Sequence, residues 1–386
     1  MPNKATQTRK ASSNKNTNII DMPLLITVLI LLALGIVMVL SASAPSALAK
    51  YGDSYKFVKT QAVAAVLGIG VMFFFSVFPH QFFKKYYRII YWISFVLLFS
   101  VLVPGLGVEI NGAKRWIDIS VIRIQPSEIT KIGLIIYYAG YYTDSKNKLD
   151  TFWGNTLRPI IALGLPIVVL LKIQNHMSAG VVMSLVTMVI ILMSGCQLKY
   201  YATMFLAMLS VGVISLPFIK DKIIGGFRTN RIIAWLKPFD DPSGTSYQTI
   251  QGLYAIGSGG LFGVGLGKSK QKFLYIPEAH NDFIFAIIAE ELGFIGCAAI
   301  LVLFAVFAVR GFLIAIRASD MFGSLVAIGI TSLIIVQALL NIAVVTNTIP
   351  NTGISLPFLS YGGTSLIILL GSVGVLLNIS RSVKKI

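Results

Sequence analysis

The chain has 386 residues, 56% of them hydrophobic and only 12% charged, with a mean hydropathy of +0.81 and a net charge of +17. Soluble domains are about a quarter charged, so a water-soluble globule is excluded, and two cysteines among long apolar runs exclude disulfide-rich, collagen-like and disordered classes. Basic residues of membrane proteins gather in cytoplasmic loops, so the positive balance predicts an all-α polytopic membrane protein with no nucleic-acid partner.

Residues 1–22 are polar and basic and read as a disordered cytoplasmic tail. The apolar run 23–40 outlasts the roughly 7–15 residues of a signal-peptide core, so it is expected to be a retained first membrane helix, although Ala47-Leu48-Ala49 imitates a cleavage site. Further apolar runs at 58–78, 89–106, 124–142, 158–173, 177–195, 200–217, 283–309, 321–346 and 362–380 bring the prediction to about ten transmembrane helices. They form one transmembrane domain, 23–381, with a short cytoplasmic tail at 382–386. The large outer loop 218–282 contains an apolar stretch, 250–267, with seven glycines from Gly252 to Gly267. Glycine-rich backbone at membrane depth needs a protein cover or a cavity, so this stretch is expected to be re-entrant or surface-lying. With the N-terminus inside, inner segments hold sixteen Lys and Arg and short outer loops seven, which predicts both termini in the cytoplasm. No fixed-period repeat supports an inverted-repeat transporter.

Cys196, Cys297, His80, His176 and His280 are scattered, so no structural metal site is expected. The outer loops are chemically richer. Glu128 and Lys131 are three apart on one helix face; they read either as a structural ion pair or as the wall of a polar substrate cavity. Gly267-Lys268-Ser269 looks like the end of a P-loop, but Phe262 stands where a glycine is required and no strand precedes it. What survives is flexible backbone near Arg231, Lys268, Lys270 and Lys272, suited to a phosphate or pyrophosphate or to lipid headgroups. Asp282 lies where the polar loop becomes an apolar helix: partial desolvation would raise its pKa toward that of a usable base, and a helix N-cap is the competing reading. Glu290 and Glu291 lie deeper, and one is expected to pair with a buried cation or polar group. Gln337 and Asn341, four apart, are expected to form interhelical hydrogen bonds.

Five motifs occur in order: NGAKRWI at 111–117, QPSEITK at 125–131, GSGGLFGVGLGKSKQK at 257–272, PEAHNDFIFAIIAEELG at 277–293 and PNTGISLPFLSYGGTSL at 350–366. On these the chain resembles the SEDS family (shape, elongation, division and sporulation) from 23 to 381, and its FtsW/SpoVE branch more than RodA. The resemblance implies ten transmembrane helices and polymerisation of lipid II into peptidoglycan glycan strands at the outer face of the cytoplasmic membrane. It also implies a class B penicillin-binding protein and other cell-division proteins as partners. The family's essential aspartate falls on Asp282, its arginine and tryptophan on Arg115 and Trp116, and its glutamate and lysine on Glu128 and Lys131. Asn281 stands where many members have Thr, and Gln174-Asn175-His176 replaces a usual Gln/Glu-Pro-Asp/His.

For that reaction a sugar hydroxyl needs a general base, Asp282. The departing pyrophosphate needs cations, for which Arg115, Lys131, Arg231 and Lys272 are the candidates. Glu278 and His280 would position or tune Asp282. No tightly bound cofactor is expected, and a divalent cation (Mg or Mn) at the pyrophosphate is left open. The alternatives are a lipid II flippase and a non-catalytic divisome scaffold; a flippase would place ionisable groups along the whole crossing, whereas these cluster at the outer face.

Overall fold

The computed structural model describes residues 20–110, 112–119, 122–144, 151–195, 202, 206, 227–242, 244 and 246–382. The chain runs α1 (Met22–Tyr51), α2 (Lys56–Val77) and α3 (Gln81–Leu97), the last extended by a 3-10 turn to Leu102. Strands β1 (Gly107–Ile110), β2 (Ala113–Ile119) and β3 (Ile122–Ile124) lead into α4 (Pro126–Thr143). Then come α5 (Arg158–Lys172), α6 (Met177–Met193), α7 (Phe227–Leu236), α8 (Tyr247–Gly259), α9 (Ile284–Arg317), α10 (Met321–Val345) and α11 (Gly363–Arg381).

Among the described residues seven helices are long and apolar enough to cross a membrane, and α6 is a shorter apolar helix. The amphipathic α4, with Glu128, Lys131 and buried tyrosines, packs between α3, α6 and α10. The expected segment 200–217 lies almost wholly outside the described residues. The result is a polytopic helical membrane protein of roughly ten helices.

The first helix is longer than its apolar run. Asp21 caps it by accepting from Leu24 N at 3.0 Å, and it continues through Pro45 to Gly52, which closes it in the left-handed region. Ser43, Ser46 and Ala47 are buried, so small polar residues that break an apolar pattern act here as close-packing surface. The loop 107–126 is an antiparallel sheet ordered β1-β2-β3, with Val108 opposite Trp116 and Asp118 opposite Arg123.

Backbone groups at membrane depth have no water to bond, and two tyrosine hydroxyls answer that demand in α5. Pro166 leaves the carbonyl of Ala162 without its helical donor. Tyr91 Oη supplies one at 2.9 Å, while Tyr138 Oη reaches Pro159 O at 2.6 Å. The glycine-rich stretch forms α8 and then a turn laid against a break in α9. Val264 N donates to Glu290 O at 2.9 Å, and Phe294 N to Gly260 O at 2.9 Å. The break is Gly293, at φ 65° and ψ −166°; a Cβ there would stand 2.2 Å from Gly263 N, so only glycine fits.

Candidate active site

Asp282 sits in the turn that enters α9, and its main chain is tied down on both sides. The carbonyl of His280 accepts from Tyr361 N at 2.9 Å, that of Asn281 from Ser360 Oγ at 2.7 Å, and that of Asp282 from Asn341 Nδ2 at 2.7 Å. The N-cap of α9 is Phe283, with no side-chain cap bond, which removes the capping role from Asp282. Burial raises the carboxyl of Asp282 above its ordinary range, and the charge of Glu278 adds to this. Arg231 and Arg115 pull the other way without cancelling it.

The two arginines arrive from different elements. Arg231 on α7 donates to Asn351 O at 3.0 Å, and α7 is held to the end of α10 by Trp235 Nε1 on Asn347 O at 3.1 Å. Arg115 on β2 grips the turn between α5 and α6, with Nε on Gln174 O at 3.1 Å and Nη2 on Asn175 O at 2.6 Å. Both guanidinium groups are lowered chiefly by burial, and Arg115 also by Arg231, while Asp282 opposes the shift in each. Arginine remains charged regardless. Trp116 is half-buried beside Arg115 on the same strand.

Asn175, at φ 48°, makes the sharp turn where the family usually has proline, and His176 follows it. His176 is buried and pushed down to about 3 by burial, then by Arg115 and Lys131. It is therefore neutral, with Nδ1 3.3 Å from Ser127 Oγ, and it links the Arg115 region to α4. There Lys131 Nζ lies 2.8 Å from Glu128 Oε2, with Lys131 only 4% exposed. Glu128 also lines a small cavity with Gln337, Ser355, Ser360 and Tyr361. The ion pair is thus present, and of its two residues Glu128 lines the cavity.

Glu278 is exposed and turned away, accepting from Asn281 Nδ2 at 2.9 Å and lying 3.9 Å from Lys50. His280 is buried, its ring 4.3 Å from that of Phe57 and 5.5 Å from that of Tyr361. Burial, with Lys50, pushes it down to about 4, so it is a neutral aromatic wedge behind the Asp282 turn.

Lys272 requires a correction. It is 5% exposed, and its ammonium donates to Gly267 O at 2.6 Å, Glu291 Oε1 at 2.9 Å and Ser41 Oγ at 3.2 Å. An ammonium has three donors. All are spent, so Lys272 cannot serve a pyrophosphate in this structure. Glu291 is instead the deep carboxylate expected to meet a buried cation, while Glu290 accepts from Ser269 Oγ at 2.5 Å and Lys270 N at 2.8 Å.

The 351–354 turn, part of the 350–366 motif, faces the site. Gly353 has φ 65°, and a Cβ on it would stand 3.1 Å from Asp282 Oδ2. Thr352 O accepts from Ser178 Oγ of α6, and Asn351 Nδ2 donates to Gln248 Oε1 of α8 at 3.4 Å. Two glycine-bounded turn residues give no chemical signal by themselves; only their neighbours do.

Fold and site together define a polytopic membrane protein in which a half-buried carboxylate is faced by two arginines where the bundle meets its loops. The chain belongs to the cell cycle protein family of FtsW, RodA and SpoVE, whose family model matches residues 22–385. It is 43% identical over 364 residues to stage V sporulation protein E of Bacillus subtilis, covering 94% of this chain and 97% of that one. It is 39% identical over 365 residues to the probable peptidoglycan glycosyltransferase FtsW of Geobacter sulfurreducens, covering 94% and 96%. Its fold matches a chain of a peptidoglycan synthase complex that coordinates polymerisation and crosslinking, with a TM-score of 0.77 at 26% identity over 94% of this chain and 98% of that one. It matches the rod shape determining protein RodA of Thermus thermophilus with a TM-score of 0.65 at 26% identity, over 94% and 97%.

Proposed function

We infer that the chain is a peptidoglycan glycosyltransferase that polymerises lipid II into glycan strands at the outer face of the cytoplasmic membrane. The observation that carries this reading is the Asp282 carboxyl, raised by burial and facing Arg115 and Arg231. Both termini then lie in the cytoplasm, in keeping with the excess of Lys and Arg in the inner segments.

In the reaction, Asp282 takes the proton of the acceptor 4-hydroxyl as that oxygen bonds to C1 of the donor sugar. The bond from C1 to the undecaprenyl pyrophosphate breaks, and its electron pair leaves on the pyrophosphate, where Arg115 and Arg231 stabilise the developing charge. One base and one direct displacement turn an α-linked donor into a β-linked product. Lys131, bound to Glu128, serves this site by holding the cavity wall in place. Among the described residues no cluster of His, Cys, Asp and Glu side chains could hold a metal ion, so a divalent cation at the pyrophosphate would be held by substrate oxygens, and no step is assigned to it. A class B penicillin-binding protein crosslinks the strands in complex with this chain, within the cell-division machinery.

The test is purified chain, alone and with its transpeptidase, mixed with labelled lipid II in detergent. Glycan lengthening that is lost in Asp282→Asn supports the reading. Transport across vesicles without lengthening would make the chain a flippase; neither activity would make it a scaffold.

A further inference from the structure

Asn341 on α10 is fully buried, and its amide is committed to two main-chain carbonyls. Nδ2 donates to Asp282 O and to Ile354 O, each at 2.7 Å. A carbonyl oxygen can only accept, so these bonds fix which end of the amide faces them. Oδ1 points the other way and has no partner among the described residues. The two carbonyls come from separate segments. One belongs to the proposed base; the other follows Gly353, the residue that lies against Asp282 Oδ2.

A purely structural amide would join helix to helix, whereas both carbonyls held by Asn341 lie in loops at the site. α10 is in any case already packed on α4, α6 and α9. The two loops are also joined at Ser360 and Tyr361, which hold the carbonyls of Asn281 and His280; what Asn341 adds is a fixed separation at Asp282 and Ile354 themselves. Its short side chain makes that separation rigid; one more methylene would push the two carbonyls apart.

We propose that Asn341 is a positioning residue for the transfer reaction, one amide holding the main chains of Asp282 and Ile354 so that the Asp282 carboxylate is set against the 351–354 turn. The same turn anchors Arg231 through Asn351 O, so base and cation are placed by one piece of backbone. The proposal rests on the reading of Asp282 as the base. The charged groups that act on Asp282 are Glu278, Arg231 and Arg115, from its own loop, α7 and β2. If the amide is lost, the carboxylate is free to move toward solvent.

The experiment uses the full chain co-purified with its transpeptidase and labelled lipid II as substrate. Asn341→Leu keeps the shape and removes the donors. Gly353→Ala keeps Asn341 and displaces the same carboxylate from the other side. Asp282→Asn is the reference. The expected result is a fall in kcat of about 10²-fold for Asn341→Leu and Gly353→Ala, the scale of a misplaced reacting group. KM should be unchanged, and the acid limb of the pH–rate profile should move toward the ordinary carboxylate range. Wild-type kcat and an unmoved acid limb in Asn341→Leu overturn the proposal, as does a change confined to melting temperature. If Asn341→Leu does not fold, Gly353→Ala decides by the same readouts. An active Asp282→Asn overturns the base assignment itself; an inactive Asp282→Asn beside fully active Asn341→Leu overturns only the positioning role.

Discussion

Replacing Lys272 with methionine separates a structural lysine from a substrate-binding one. The side chain keeps its volume and stem while the ammonium disappears. Glu291 Oε1 then loses a partner at 2.9 Å and keeps only Ser41 Oγ at 2.7 Å and Ser269 N at 3.2 Å. Glu291 is 0% exposed, so the change strands a carboxylate in the bundle. Removing one partner of a buried pair costs about 3–5 kcal/mol. The assay is thermal unfolding in detergent, followed by fluorescence or aggregation, on Lys272→Met, Glu291→Gln and the double variant. Lys272→Met should lower the melting temperature strongly, and the double variant should recover most of the loss because no charge remains stranded. KM for lipid II in the folded fraction should match wild type. A Lys272→Met protein of normal stability with a large rise in KM would refute the reasoning and restore Lys272 to the substrate site.

Two further predictions concern protons. Because burial raises Asp282, the acid limb of the pH–rate profile should lie above the ordinary carboxylate value of about 3.9; Gln at Glu278, which removes a neighbouring negative charge, should shift that limb slightly downward. At the bundle end that carries Asp21 and Arg381, His80 lies between Asn378 Oδ1 at 3.0 Å and Asp320 Oδ1 at 3.1 Å. Burial lowers its pKa, but the bonds to Asp320 and Asn378 outweigh this and leave it raised. A raised folded value means that the stabilisation is complete below the unfolded pKa of about 6.5 and fades as pH rises through the folded one. Melting temperature should therefore fall from mildly acid to alkaline pH, and His80→Gln should flatten that slope; an equal slope in both proteins would sink the idea.

Much of this could be read from residue order, and the exceptions have physical causes. Apolar runs located the crossings because lipid demands them, yet α1 passes beyond Leu40 to Tyr51 since Ser43, Ser46 and Ala47 bury as well as valine does against neighbouring helices. The strands in 107–124 escaped notice because each is short and their pairing is decided by the turn at Gly112 and contact with the 3-10 turn after α3. At the site, Asp282, Glu128 and Lys131 stand out as charges at membrane boundaries, Arg231 as a cation of the large loop, and Arg115 through the family resemblance. His176 does not: its place between Arg115 and Lys131 follows from the packing of α4 against α6. The burial of Lys272 has the same cause: the turn after α8 packs on the break in α9 and brings the lysine loop onto Glu291, which residue order does not show.

The contrast between Lys272 and Arg115 explains which cation is available to an anionic substrate. Lys272 has three donors and spends one of them on a carboxylate, so its charge is neutralised at close range. Arg115 has five donors and its two bonds go to the carbonyls of Gln174 and Asn175, which are neutral. Carbonyls orient a guanidinium without cancelling its charge. The opposite charge acting on Arg115 is Asp282, whose carboxyl burial pushes toward the neutral form. In the proposed reaction, when Asp282 takes a proton from the acceptor hydroxyl, its charge vanishes and Arg115 loses that counter-ion. At that moment negative charge is building on the pyrophosphate. Proton transfer and leaving-group stabilisation are thereby coupled through one arginine, without any side chain having to move.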